Sequence, residues 1–553
     1  MIQKISHYIY IIFFVFFSSD FFAQKLNLKI ASTREAENLI LNKMEYQKKH
    51  TDTVSIGSEI YKISKYLENN GYFTHTVDSV QKTSKEQLVY FSLNDKIDNA
   101  VLKTNSDVSF LVATHTIENN LIYIPIEKLQ PLLLKISKYL DNQGRSFSKV
   151  QLKNILIKDK TLFANLEIQS SEKRTINSVL VKGYEAFPTS FLKNYFNIKS
   201  NAVFNQKKIN EISNTSKGLQ FIKEIKPPEI LFTKDSTLLY LYFKKHQTNS
   251  FDGVVNFASK ENGDLLFNGN IDLKLNNVAD LGEKFELFWN SIGDERQEFK
   301  MVAELPYIFK SPITPEIAFS IYKQDSTFLN TTFNSKIKYS ISEKIKLGLS
   351  YSSETSSELN KSSLTNNVDN FTNSFIAIHL SYIKPKFDLF FNNKFYLEVI
   401  PSFGKRKSDN KTTNQFKIRT IATYIWDVNF RNSIYIKNDT GFLNSGSYLN
   451  NELFRIGGAN SIRGFNEQSI FTSSYTFFNI EYRYLTSEKS FIYSITDIGS
   501  IKENSKKLLS LGLGYRFINN NSHINIGAVI SRNQNNQIQF KNSKIIIDWT
   551  IYF

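Results

Sequence analysis

From about residue 252 to the C-terminal Phe553, the chain alternates apolar and polar residues in runs separated by polar turns. The last run is the clearest: Ile545, Ile547, Trp549, Ile551 and Phe553 share one parity, while Asp548, Thr550 and Tyr552 share the other. Ile337, Tyr339 and Ile341 follow the same rule, as do Ile345, Leu347, Leu349 and Tyr351, and later Leu509, Leu511, Leu513, Tyr515 and Phe517. A side-chain period of two puts each set on one face of a strand. Soluble sheets alternate too, but roughly 300 residues of such strands need helices to cover their apolar faces, and no helical pattern breaks this half. Lipid covers those faces equally well, and in lipid every strand edge must be paired, so the strands close into a barrel. The extended runs predict about 16 antiparallel strands. They include runs at 264–276, 281–291, 297–306, 328–341, 344–354, 386–402, 412–425, 428–440, 473–485, 488–498, 506–518, 522–533 and 541–553, with the polar stretch 355–370 as an external loop.

The half before residue 252 is written differently. Ile63-Ser64-Lys65-Tyr66-Leu67-Glu68-Asn69-Asn70-Gly71 returns 73 residues later as Ile136-Ser137-Lys138-Tyr139-Leu140-Asp141-Asn142-Gln143-Gly144. The apolar positions Ile56, Ile60, Ile63 and Leu67 become Leu129, Leu133, Ile136 and Leu140, spacings that place four side chains on one helix face. Gly71 and Gly144 then end the helices, where a left-handed backbone costs glycine nothing. A third, looser copy reaches Gly218, with Ile209 and Ile212 ahead of it and Leu219 and Phe221 behind. It opens on a strand from Ile176 to Val181, a helix holding Phe191, Leu192, Tyr195 and Phe196, and a polar turn at Ser200 and Asn201. Leu88–Leu93, Leu162–Ile168 and Leu238–Phe243 supply the closing strands, so each unit is a small α+β module.

The extreme N-terminus carries Lys4, an apolar run from Tyr8 to Phe17, then Ser18 and Ser19, with cleavage expected between Ala23 and Gln24. That is the layout of a secretory leader and is too short for a membrane anchor. Cysteine is absent, which removes thiol chemistry and cysteine-ligated metals. The net charge of +16 is spread among Ser, Asn and Glu instead of forming a stripe, so an exported chain of this kind has no nucleic-acid partner. His75, His115 and the other histidines form no ligand cluster with carboxylates, and the sequence holds no candidate for catalysis, a cofactor or a metal.

One loop stands apart from the strands: Phe454-Arg455-Ile456-Gly457-Gly458-Ala459-Asn460-Ser461-Ile462-Arg463-Gly464-Phe465. Gly457, Gly458 and Gly464 permit tight turns around Arg463, whose planar fork of donors suits a carboxylate. Glu481 and Asp497, in the strands that follow, are the candidate partners. Glu481 shares its parity with Asn479, opposite Ile480 and Tyr482, which turns it to the lumen.

The segment Gly457–Phe465 resembles the signature of the Omp85 superfamily of outer-membrane assembly proteins, also called bacterial surface antigens. Asn479-Ile480-Glu481-Tyr482-Arg483, Ile495-Thr496-Asp497-Ile498-Gly499 and the terminal Phe553 extend the resemblance, and the repeats are similar to that family's polypeptide-transport-associated (POTRA) domains. The resemblance implies α+β POTRA-like repeats followed by a C-terminal transmembrane β-barrel in the outer membrane. Its divisions are a signal peptide over 1–23, POTRA-like domains over 24–100, 101–175 and 176–248, and a barrel over 249–553. It further implies a lumen loop in which Arg463, flanked by Gly464 and Phe465, braces on Glu481 or Asp497, and a weak seam between the first strand and the terminal strand carrying Trp549 and Phe553. Three modules make the organisation most similar to the TamA-like branch. The implied function is the assembly or translocation of outer-membrane proteins, with client strands engaged by the periplasmic modules and the seam. A protein-secretion pore or small-solute channel is the alternative. The implied partners are unfolded outer-membrane or secreted proteins, outer-membrane lipids, and periplasmic or inner-membrane assembly proteins.

Overall fold

The computed structural model describes residues 26–553 except 84, 105–115, 200, 260–264, 293–295, 361–366, 387, 410, 503–506 and 534–542. The expected leader, His115 and Ser200 lie outside the described residues. The chain forms two compact units, one ending at Thr175 and taking in Val203–Gln206, the other made of Ile176–Ala202 and Lys207–Phe553.

The first unit contains two modules. In the first of them, Leu26–Ala31 lies parallel to Glu86–Ser92 in a four-stranded sheet, with Lys49–His50 and Thr76–Lys82 at its edges. Helix α1 (Glu35–Leu41) and helix α2 (Thr53–Asn69) complete it. Asp52 starts α2 by accepting the Ser55 N–H at 2.7 Å, which satisfies one of the helix's orphan donors. Ile56, Ile63 and Leu67 are buried against Leu28, Val89 and Phe91, with Ile60 partly buried beside them. Full burial of each such side chain contributes about 1.5–3 kcal/mol, so this stripe is what holds helix to sheet. In the second module, helix α3 (Leu129–Asn142) buries Leu129, Leu132 and Ile136 on a five-stranded sheet, and Leu133 and Leu140 pack at its margin. Gly71 and Gly144 follow α2 and α3 at φ +95° and +81°; a Cβ on Gly71 would stand 2.1 Å from the Ile97 carbonyl oxygen.

The second unit opens with a three-stranded sheet in the order Ser178–Lys182, Thr237–Lys245, Ile222–Phe232, with helices α4 (Thr189–Asn194) and α5 (Gln206–Ser216). The helix expected to include Tyr195 and Phe196 stops at Asn194. The Phe196 N–H bonds back to the Phe191 carbonyl at 3.0 Å, and Phe187, Phe191, Phe196, Phe221 and Phe243 gather in one aromatic cluster. This cluster does the work of the aliphatic stripe, which explains why the third copy is faint in sequence.

Among the described residues the barrel is closed by sixteen antiparallel strands. They are β1 (Ser250–Ser259), β2 (Leu265–Asn276), β3 (Lys284–Ile292), β4 (Arg296–Glu304), β5 (Ile313–Gln324), β6 (Phe328–Ser340), β7 (Ile345–Glu358) and β8 (Phe371–Pro385). The second half comprises β9 (Asn393–Ser408), β10 (Lys411–Asp427), β11 (Asn432–Ser445), β12 (Ser474–Ser487), β13 (Ser490–Ile501), β14 (Lys507–Asn519), β15 (Ser522–Asn533) and β16 (Lys544–Tyr552). The alternation resolves as expected: Ile545, Ile547, Trp549, Ile551 and Phe553 are exposed on the outer face.

Three local expectations fail. The stretch 355–370 is not all loop, because β7 runs to Glu358 and its last four residues stay paired with β6. The run 386–402 is not one strand: β8 ends at Pro385, and Asp388 accepts the Phe390 and Phe391 N–H groups in a turn that folds both rings inward onto Phe491, at 4.9 and 5.5 Å. The run 428–440 starts at Asn432 instead, after a turn in which Asn429 accepts three N–H bonds.

The third module is docked on the barrel's rim. The Tyr184 hydroxyl donates to Asp280 in the β2–β3 turn and accepts from Asn277 at 2.8 Å; Lys245 joins Asp280 at 2.5 Å. The Lys245 ammonium, then the Tyr184 hydroxyl, hold the Asp280 carboxyl below its usual range, so this joint is intact at neutral pH and weakens only as pH falls through that lowered value. Nearby, Phe191 stands edge-on to Tyr307 at 4.8 Å, and Gly282 (φ +74°) lets the β2–β3 turn pass so close that a Cβ there would lie 2.4 Å from the Phe191 ring. Gly282→Val should therefore detach the module from the rim, at a cost of about 2–3 kcal/mol from overpacking and backbone strain. Limited proteolysis near residues 245–250 reads this directly: faster cleavage is expected, and an unchanged rate would sink the idea.

Candidate functional site

The link from β11 to β12, residues 446–473, turns back into the lumen. Phe454–Ile456 pairs with Ile470–Thr472 in a short hairpin, and the glycine loop sits at its tip. Gly457, Gly458 and Gly464 have φ of +108°, +99° and +87°, and a Cβ on Gly458 would lie 1.7 Å from the Glu467 carboxylate. The Glu467 end can move aside, but the positive φ reserves all three positions for glycine, and a Cβ on Gly457 would meet the Asn466 carbonyl oxygen at 2.4 Å. Ile462 is fully buried among Ile456, Tyr475, Phe477, Ile501 and Leu508, and Phe465 packs at the edge of the same cluster.

That anchoring aims Arg463 at the barrel wall, and both candidate carboxylates meet it. Asp497 accepts the Arg463 backbone N–H at 2.8 Å, Nε at 2.9 Å and Nη2 at 2.6 Å, while Glu481 accepts Nη1 at 2.5 Å. The other Glu481 oxygen holds Arg483, at 2.8 Å from Nε and 2.7 Å from Nη2, and Arg483 lies between the Phe391 and Tyr435 rings, 4.1 Å from each. Asp497 is completely buried and Glu481 nearly so. Asn479, on the parity of Glu481, donates to the Ser461 carbonyl at 2.8 Å, and the Gly464 carbonyl accepts from Ser531 at 2.9 Å. Charge-assisted, bidentate pairing between these buried groups fixes the geometry of the loop against the wall.

A second anchorage escaped the sequence. The turn Asn450–Glu452 places Glu452 against Arg406 and, at 2.8 Å, Gln415; Asn451 is completely buried, donating to Ser356 and the Asp369 carbonyl at 2.7 Å each. Arg455 covers the Tyr322 ring at 3.7 Å, Gln468 donates to Glu298 at 2.6 Å, and Lys544 bonds Asn466. The inward parity of Arg406 was readable, but its partner comes from a loop that no periodicity places. The lumen loop thus touches the wall from β4 to β16. Trp549 and Phe553 lie elsewhere, on the outer face of the terminal strand.

That strand meets the first one narrowly. Among the described residues, β1 and β16 are paired only as Ser250↔Tyr552 and Phe251↔Ile551, with the Phe553 N–H donating to the Asn249 carbonyl at 2.9 Å. β16 is paired to β15 over eight positions, from Lys544 to Ile551, and β1 to β2 over ten.

A closed sixteen-strand barrel with small α+β modules before it and a glycine-arginine loop in its lumen is the fold that the resemblance to the Omp85 superfamily implies. The solved structure of CdiB from Acinetobacter baumannii shares that fold, with a TM-score of 0.52 at 13% identity, over 91% of this chain and 98% of the other. CdiB from Escherichia coli is similar at a TM-score of 0.52 and 12% identity, over 89% and 96%. BamA from Haemophilus ducreyi lacking POTRA domains 1–3 aligns with a TM-score of 0.45 at 13% identity, over 77% and 93%. No protein-family model and no curated protein sequence matches the chain.

Proposed function

We propose that this protein assembles or translocates other proteins at the outer membrane, holding client strands first on its periplasmic modules and then at the barrel seam. The observation that carries this reading is the two-pair contact between β1 and β16. Backbone groups left unpaired in lipid cost several kcal/mol each, so an incoming strand gains by pairing with those edges. The lumen loop argues against an open solute channel, because its contacts extend from Glu298 of β4 to Lys544 of β16. The deciding experiment is photocrosslinking in cells from Ile551 or Trp549, combined with depletion of the protein. Captured barrel precursors and a fall in particular outer-membrane proteins are expected; an unchanged outer-membrane proteome would remove the assembly role, and capture of one dedicated exported protein would favour secretion.

The three modules do not offer equal edges. In the third, the edge strand Ile222–Phe232 carries Pro227 and Pro228, which lack N–H donors, at a break in register. In the first, the edge strand Thr76–Lys82 is fully exposed and largely polar. In the second, Lys149–Lys158 ends its sheet without a proline, and although its register also breaks between Lys153 and Leu156, Ile155, Leu156 and Ile157 are all exposed. Strand addition is therefore assigned to the second module. Ile155→Lys with Ile157→Lys should cut client crosslinking at this edge about tenfold, because edge lysines oppose pairing. The far-ultraviolet circular dichroism should not change, since both side chains are exposed. Equal crosslinking in the variant would exclude this edge.

A further inference from the structure

Between the third module and the barrel lies a cavity of about 790 Å³, bounded by α4, α5 and the residues after it, and by the ends of β2–β5 and β7–β9 with their turns. That volume is within the range of ligand-binding clefts, about 300–1,000 Å³. Seven lysines and four glutamates line it, a formal excess of three positive charges. Lys386 is held by Asp388 and Asp427, and Glu304 by Lys338, but Lys217, Lys284, Lys346 and Lys384 have no described carboxylate within 4.0 Å. We propose that this vestibule is a binding site for an acidic, extended segment of polypeptide. The inference rests on the preceding reading that the protein's clients are polypeptides.

Two features select peptide over lipid. Lys284 stands between paired neighbours Asn276 and Glu304, and Lys346 between Ser340 and Ser381, so an unbroken ladder separates these lysines from the bilayer. Ile345 and Leu347, flanking Lys346, face outward on the exposed surface. An acyl chain on that outer face has no route through the wall, whereas the same cavity that holds these lysines is lined on its other side by α5 and Lys217 of the module. Excess charge in a walled cleft concentrates the counter-charge and speeds its capture.

The test uses the full-length protein in detergent with a fluorescein-labelled ten-residue peptide of alternating Glu and Thr, and the corresponding Gln peptide. Because the chain has no cysteine, Asn214→Cys, on an exposed position of α5 at the cavity, accepts a single environment-sensitive dye as a local reporter. The Glu peptide should bind about tenfold more tightly than the Gln peptide at low salt, lose that margin at about 0.5 M salt, and change the reporter's emission. Replacing Lys217, Lys284, Lys346 and Lys384 together by Gln should lose about tenfold, and Lys217→Glu alone, on the exposed segment after α5, should lose part of it. Equal binding of the two peptides, or binding unchanged in both variants, overturns the proposal. So does displacement of the peptide by phosphatidylglycerol micelles with the same lysine dependence. Failure here with an intact depletion phenotype removes this site alone; peptide binding with an unaffected proteome removes the assembly reading alone.

Discussion

Asp497→Asn should release the lumen loop. The substitution keeps the side chain's size, so no cavity forms, but it removes the charge facing Arg463 and turns an amide donor toward a guanidinium donor. Asp497 accepts three bonds from Arg463 and is completely buried, so the arginine is left with Glu481 as its single anionic partner. Breaking one side of a buried ion pair costs about 3–5 kcal/mol, the uncompensated charge supplying most of it. Arg463→Ala should cost as much, this time stranding Asp497; Arg463→Lys should fall between, because a lysine keeps the charge and loses the fork. Three readouts follow the loop: a lower midpoint of urea unfolding, new protease cleavage within 446–473, and discrete conductance steps in planar bilayers where the parent protein is quiet. A variant as stable, as protected and as quiet as the parent would show that the second anchorage at Glu452 and Arg406 holds the loop unaided.

The other large effect is expected at the seam. Phe251 and Ile551 are register partners on the outer face, and paired antiparallel positions lie about 4.5–5.5 Å apart, inside the range a disulfide spans. With no native cysteine to compete, Phe251→Cys with Ile551→Cys should form one cross-strand bond on oxidation. The oxidised barrel should stay folded, keeping its heat-dependent shift on a detergent gel, while client assembly falls to the level of depleted cells; reduction should restore it. Normal assembly by a fully oxidised protein would mean that clients never part these strands, and the seam would lose its role.

The barrel was legible because lipid and lumen enforce a period of two on the same strands for hundreds of residues. Where both faces are apolar the signal vanishes. β8 places Phe375 and Ala377 inward and Ile376 and Ile378 outward, a continuous apolar run whose alternation is flat. β5 was hidden by Pro315, which is paired with Ile337 inside a strand that proline ordinarily argues against. β1 shows little alternation around Gly253. The site divided in the same way. Glycines at left-handed positions and a lone inward arginine are local facts, so Arg463, Glu481 and Asp497 were visible as a group. Their division of labour was not, because it depends on the loop's entry angle. The Glu452–Arg406 contact joins residues 46 positions apart through a turn with no periodic pattern at all.

The pairs Ser250↔Tyr552 and Phe251↔Ile551 join residues about three hundred positions apart. In lipid each backbone group left unpaired costs several kcal/mol, yet among the described residues the ladder between these two strands stops after two positions. The lumen loop does what the ladder leaves undone, since it is bonded both to Glu298 near the start of the barrel and to Lys544 near its end. It acts as an internal tie rod. Circularity therefore does not rest on the seam alone: parting the first strand from the last still leaves β4 and β16 joined through the loop.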